Sequence, residues 1–145
     1  MDKPFEIERT FPVAASRLWT AITNPEEMKN WYFTLPGFRA EVGYTFSFMG
    51  GPPDGIQYKH LCEVTEVEQE RKLTYSWRYE GYEGNSFVTW ELFPEGNSTR
   101  LKLTHAGLGT FPESNPDLAA KNFAEGWTGI IGESLVNYIG GNNAG

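Results

Sequence analysis

Apolar and polar residues alternate along much of the chain, and the alternation marks out strands. "FEIERTF" (5–11) has the two-residue period of a half-buried strand. The same period returns in "YTFSFM" (44–49) and in "IQYKHLCEVTEV" (56–67), where Ile56, Tyr58, His60, Cys62 and Val64 share one face. "KLTYSWRY" (72–79) gathers Leu73, Tyr75, Trp77 and Tyr79, and "FVTWELF" (87–93) gathers Val88, Trp90 and Leu92. "TRLKLTH" (99–105) turns Leu101, Leu103 and His105 inward and Arg100, Lys102 and Thr104 outward. Between the runs lie "GGPPDGI", "EGYEGN" and "PEGNS", whose Gly and Pro supply the dihedrals of turns.

Three stretches follow a helical period instead. "ASRLWTAI" (15–22) places Leu18, Trp19 and Ile22 on one face. In "TNPEEMKNW", Asn24 is a cap, Pro25 takes the first helical position, and Glu26 and Glu27 favour the positive helix start. Met28 and Trp31 form the buried side of that second short helix. The last stretch is the longest. Asn115 caps it, Pro116 opens it and Asp117 lies beside its dipole, so a helix over 116–139 would run about 36 Å. On a helical wheel centred on Trp127, the buried face holds Phe123, Ile130, Ile131, Ser134 and Tyr138. Gly126 sits at the edge of that face, and Gly129 and Gly132 on its back. Each glycine weakens a helix by about 1 kcal/mol relative to alanine, so this helix is soft, and Gly126 is its candidate kink.

The order is therefore strand, two short helices, a run of antiparallel strands and a long helix. That is an α+β domain, with the long helix packed on one face of an antiparallel meander. The 145 residues fit one domain, over 1–140, with 141–145 as a disordered tail.

Composition narrows the function. A net charge of −7 disfavours nucleic acid and anionic membrane surfaces. No apolar run is long enough to span a bilayer, and "MDKPFEIERT" lacks the apolar core of a signal peptide. Cys62 is the sole cysteine, so no internal disulfide forms, and a cytoplasmic setting fits. Five Trp, seven Tyr and ten Phe can fill a core or line a pocket for an apolar ligand.

Candidate chemistry is sparse. His60 and His105 occupy inward strand positions, where an imidazole serves as a general base, a ligand anchor or a hydrogen-bonded wall residue. His60 and Cys62 share a face, but the further ligands of a zinc site are missing, so no metal is expected. Cys62 itself reads as a small hydrophobe. There is no phosphate-binding glycine loop, no G-x-S-x-G elbow and no dinucleotide fingerprint, so no cofactor is expected, although an enzyme stays open. The inward Tyr58, His60, Cys62, Tyr75, Trp77, Trp90, Leu103 and His105, with Trp127, Ile131, Ser134 and Tyr138 from the long helix, make a candidate ligand-binding volume. A filled core is the competing reading.

The segments "RTFPVAASRLWTAITNPEEMKNWY", "GPPDG", "EVTEVEQERKLTYSW", "STRLKLTHAGL" and the "GW" of the last helix come in an order that resembles the activator of heat-shock protein 90 ATPase C-terminal-like family, within the START / Bet v 1-like (SRPBCC) superfamily. The resemblance implies a helix-grip fold: a curved antiparallel sheet of about six strands around a long C-terminal helix, with two short helices closing one end and a cavity between sheet and helix. Members commonly bind small apolar molecules, and some relatives are cyclases or hydroxylase components. The eukaryotic activator binds the chaperone, but it carries a further N-terminal domain. Cys62 stands where such sequences often have Gly, which would narrow a pocket at that place.

These strands of argument give one leading expectation: a small hydrophobic or aromatic ligand bound between sheet and helix. The mouth would lie at the loop 32–43, the "GGPPDG" turn and residues 107–117. A co-chaperone-like interaction module, docking on a chaperone through the outer sheet face, is the first alternative. A cyclase-like or hydrolytic enzyme using His60 or His105 is the second.

Overall fold

The computed structural model describes residues 4–51, 55–112 and 114–139. β1 (Phe5–Phe11) leads into α1 (Ala15–Thr23) and α2 (Pro25–Met28). Five strands follow: β2 (Thr45–Gly50), β3 (Tyr58–Glu68), β4 (Lys72–Tyr79), β5 (Ser86–Glu95) and β6 (Ser98–Ala106). They form one antiparallel sheet in the order β1-β6-β5-β4-β3-β2, so β1 closes the meander beside the last strand. A register shift between Val64 and Glu66 bends β3, as an extra residue in one strand does. The expected α+β helix-grip architecture is present. The expected tail, and the Pro-Pro-Asp centre of the "GGPPDG" turn, lie outside the described residues.

The sheet has one dry face. Leu73, Tyr75, Trp77, Tyr79, Val88, Trp90, Leu92, Leu101 and Leu103 are buried on it, as their period requires. Ile56 departs from the expected pattern. It precedes β3, which starts at Tyr58, and is 62 % exposed. The opposite face is charged and paired across strands: Arg100 bonds Glu8 at 2.9 Å and Glu95 at 3.0 Å, and Lys102 reaches Glu6 at 3.7 Å.

The short helices close one end. Asn24 Oδ1 accepts the Glu26 amide at 2.8 Å, with Pro25 in the first helical position. The buried Trp31 indole donates to the Ala21 carbonyl at 3.0 Å, which ties the end of α2 to α1. Glu27, at the start of α2, is half-buried. It accepts from Arg17 Nη1 at 2.7 Å and from the Tyr138 hydroxyl at 2.8 Å, and so links both short helices to the end of the last one.

That last helix differs from expectation in two ways. It does not start at Pro116. Asn115 caps a separate 3₁₀ turn, Pro116–Leu118, and Ala119 is extended before α3 (Ala120–Gly129) begins. It also does not stay α-helical: Ile130–Leu135 is a π segment, and 136–139 return to α. The buried residues are Phe123, Trp127, Ile131, Leu135 and Ile139, every fourth position. In a pure α-helix a four-residue step drifts about 40° around the axis. The wider i→i+5 turn takes that drift back. Ser134 is therefore exposed rather than buried, and Tyr138 is half-buried at the edge. Gly132 fits this arrangement, since a methyl group there would lie 3.3 Å from Arg9 Nη2 of β1.

The segment between β6 and α3 is tied to the β4–β5 loop. Thr110 Oγ1 accepts the Asn85 amide at 2.9 Å and approaches the carbonyls of Asn85 and Gly107. Gly84 makes that approach possible. Its φ is +102°, and a methyl group there would sit 2.6 Å from the Thr110 carbonyl oxygen. Gly84→Ala is expected to lower stability by about 2 kcal/mol, combining a left-handed backbone with a clash. Urea unfolding midpoints measure it, and Gly81→Ala (φ +85°, nothing within 4 Å) is the matched control that carries backbone strain alone.

Candidate functional site

Most polar tips on the dry face bond one another. The Trp90 indole donates to the Tyr75 hydroxyl at 3.0 Å, and that hydroxyl lies 2.8 Å from the Tyr32 hydroxyl. The Trp77 indole donates to the Tyr79 hydroxyl at 2.9 Å. Burial pushes the Tyr32, Tyr75 and Tyr79 phenols up, so they stay protonated. His105 is fully buried between sheet and helix. Its Nδ1 accepts from the Trp127 indole at 2.9 Å and its Nε2 lies 2.8 Å from Ser86 Oγ, which donates to the Trp77 carbonyl at 2.7 Å. Both ring nitrogens are thereby used.

The packing leaves a cavity of about 530 Å³ between the sheet and the first turns of α3. Its buried floor and walls are His60, Trp77, Tyr79, Phe123 and Trp127, with Ile130 half-buried beside them. Its exposed rim is Gly51, Asn122, Glu125 and Gly126, joined by the half-buried Phe33 and Asp117. A smaller hollow of about 100 Å³ adjoins it, sharing Phe33, Gly51, His60, Tyr79 and Asp117 and adding Tyr58. The Tyr58 hydroxyl donates to Asp117 Oδ2 at 2.8 Å and accepts from Asn115 Nδ2 at 3.2 Å, which fixes the rim to β3.

His60 is one polar group of the floor. Its Nδ1 lies 3.0 Å from the Tyr58 carbonyl, and its ring stacks on Phe48 with centroids 4.4 Å apart. A carbonyl only accepts, so Nδ1 carries the proton and Nε2 keeps a lone pair. Burial lowers the His60 pKa to about 4 and that of His105 to about 3, so both rings are neutral near pH 7. Burial also pushes the Cys62 thiol up, and it stays a thiol.

The family model described as "Activator of Hsp90 ATPase homolog 1-like protein" matches residues 12–140. The chain belongs to this family. Solved structures with the same fold include the Mll3558 protein from Rhizobium loti, 24 % identical over 95 % of this chain and 97 % of that one, with a TM-score of 0.80. CalU16 from Micromonospora echinospora is 23 % identical over 95 % of this chain and 76 % of that one, with a TM-score of 0.74. DynU16, from the dynemicin biosynthetic locus, is 23 % identical over 96 % of this chain and 48 % of that one, with a TM-score of 0.77. These likenesses establish the SRPBCC-type fold. A comparison with curated proteins gives no match.

Within this Hsp90-activator-like domain, the expected site residues divide. His60, Trp77 and Trp127 line the cavity, and Tyr58 lines the adjoining hollow. Tyr75, Trp90, Leu103, His105 and Ile131 are buried in the core outside it, and Cys62 is buried there too. Ser134 and Tyr138 lie outside the cavity, because the π segment rotates them away from the buried stripe. His105, one of the two candidate general bases, therefore touches no part of the cavity. Sequence reasoning left out Tyr79, Phe123, Asn122, Glu125, Gly126 and Ile130 as site residues, and reached Phe33, Gly51 and Asp117 only as parts of the expected mouth segments. Tyr79 and Phe123 had a signal, being one strand period from Trp77 and one helical turn from Trp127. Among the described residues no helix is long and apolar enough to cross a membrane, and no three His, Cys, Asp or Glu side chains cluster to hold a metal ion.

The two histidines give a pH dependence with a definite sign. Each has a folded pKa below the ordinary 6.5, so the unfolded chain binds more protons between that value and about 3–4. Their contribution is fully present above pH 6.5 and is lost as pH falls through the folded values. Unfolding is expected to take up roughly two protons near pH 5, which removes several kcal/mol between pH 6.5 and 4.5. Urea midpoints across that range test it. The slope of His60→Phe should be shallower by about one proton, and an unchanged slope would mean that His60 is already charged in the fold.

Proposed function

We propose that the protein binds a small hydrophobic or aromatic molecule in the cavity between its sheet and its C-terminal helix. The observation that carries this reading is the cavity itself. Its volume of about 530 Å³ falls within the range of small-molecule sites, its walls are aromatic and it opens at a rim of exposed residues. Flat rings gain most from such walls, through offset and edge-to-face contacts. Among the described residues no carboxylate bonds the His60 ring to orient it as a general base, which favours binding over catalysis. The chaperone-docking alternative has the family's description behind it, but the outer sheet face that it would use carries charges already paired across strands.

Amide titration with a panel of lipids and flat aromatic compounds tests the reading. Shifts are expected on His60, Trp77, Tyr79, Phe123, Gly126 and Trp127, and not on the core around Leu103. Gly126 supplies a sharper check. It lies on the rim, and nothing is within 4 Å of the space a side chain would enter. Gly126→Leu is expected to raise stability by about 0.7 kcal/mol through helix propensity while weakening ligand binding at least tenfold by occluding the rim. A Gly126→Leu protein that is more stable and binds as well as the parent would place the ligand elsewhere.

A further inference from the structure

The lining of the cavity is uneven in its polar chemistry. Two polar groups meet the floor, the Tyr79 hydroxyl, which already accepts from the Trp77 indole, and His60. His60 is 94 % buried by its 6 % exposure, its proton is held by the Tyr58 carbonyl, and no donor among the described residues meets its Nε2 lone pair. At the rim there are two carboxylates. Asp117 is half-buried and shares one oxygen with the Tyr58 hydroxyl, and Glu125 is exposed on α3 without an ion-pair partner among the described residues. Among the described residues no Lys or Arg lines the volume. A fatty acid or aryl carboxylate would therefore meet two like charges at the rim and no cation among the described lining residues. An uncharged aromatic with a hydroxyl would meet ring faces along its length and an acceptor at its end.

We infer that the cavity selects an uncharged aromatic molecule that donates a hydrogen bond, of phenol type, to His60 at the floor, and that Asp117 and Glu125 exclude carboxylates at the rim. This rests on the binding reading above and adds the ligand's chemical class. A donor end is favoured because no protein donor meets this lone pair, so a ligand donor adds one net hydrogen bond. The carboxylates act by charge, at a partly dry rim where water screens less than in bulk.

Three matched probes test it on the full chain at pH 7.5: naphthalene, 2-naphthol and 2-naphthoate, followed by amide titration. 2-Naphthol is expected to bind about five- to tenfold tighter than naphthalene, the worth of one net hydrogen bond. 2-Naphthoate is expected to bind more weakly than naphthalene. His60→Phe keeps the ring and its stacking on Phe48. It should lose the preference for 2-naphthol, read as the ratio of its affinities for 2-naphthol and naphthalene. If His60→Phe does not fold, Glu125→Lys, at an exposed helical position, carries the test and should raise 2-naphthoate affinity severalfold relative to that for naphthalene. Equal affinity for naphthalene and 2-naphthol, or tighter binding of 2-naphthoate than of 2-naphthol, overturns the inference and leaves the binding reading standing. Binding of none of the three overturns the binding reading and the inference with it.

Discussion

The indole N–H of Trp127 can only donate, and this one constraint orders the centre of the molecule. It fixes His105 Nδ1 as acceptor, so Nε2 must carry the ring's proton and donate to Ser86 Oγ, which in turn donates to the Trp77 carbonyl. No link in the chain can be reversed. It runs from the last helix, through β6 and β5, to β4, and it is buried throughout. A buried network of this kind is costly when broken and specific when complete, because each unmet group would forfeit its full desolvation. It sets the height and rotation of α3 over the sheet, and so the position of the Trp127 ring that walls the cavity. At the far end, Tyr138 on Glu27 supplies a second anchor. A helix held at both ends is a poor lid, whatever its glycine content. Access to the cavity belongs to the rim between Gly51 and Glu125 instead.

The glycines of that helix have a different explanation from softness alone. The apolar residues Phe123, Trp127, Ile131, Leu135 and Ile139 recur every four positions, and a regular α-helix would wind them gradually off the sheet. A π segment over Ile130–Leu135 keeps all five on one line. Gly129 and Gly132 bracket or occupy this segment, where weak helical preference lowers the resistance to an altered turn. Gly132 also leaves the space in which the Arg9 guanidinium lies against the helix back. Gly126 is the one that meets the cavity, at its rim rather than beneath it.

Element type and order were legible because the two periods, 2 and 3.6, are strongly expressed. Leu73–Tyr79 and Leu101–His105 alternate without a break, and Asn24-Pro25-Glu26 is a complete start signal. The boundaries that failed did so where a local feature overrode the period. Ile56 continued an alternation that the turn before it had already ended. Asn115-Pro116 is a true helix-start signal that closes only a single 3₁₀ turn. Ser134 and Tyr138 were assigned to the buried face on the premise of a constant 100° step, which the π segment breaks. The strict four-residue spacing of large apolar side chains was the available sign of that break. The site was less legible than the fold. Inward orientation is a property of one strand, whereas lining a cavity depends on what the facing helix leaves unfilled. Trp77 and Trp90 are alike in sequence pattern, yet only Trp77 faces open volume.

Why that volume stays open follows from the same hydrogen bonds that fill the rest of the core. A void among aliphatic side chains tends to close, since rotamers shift to recover lost contacts. The rings around this one are not free to shift. Trp77 is held by its N–H on Tyr79, Trp127 by its N–H on His105, and His60 by Nδ1 on the Tyr58 carbonyl. Each bond is made at the edge of a ring and fixes how that ring is oriented. The polar tips therefore serve mainly as braces. They hold the aromatic walls apart, and they leave the His60 Nε2 lone pair without a hydrogen-bond donor among the described residues.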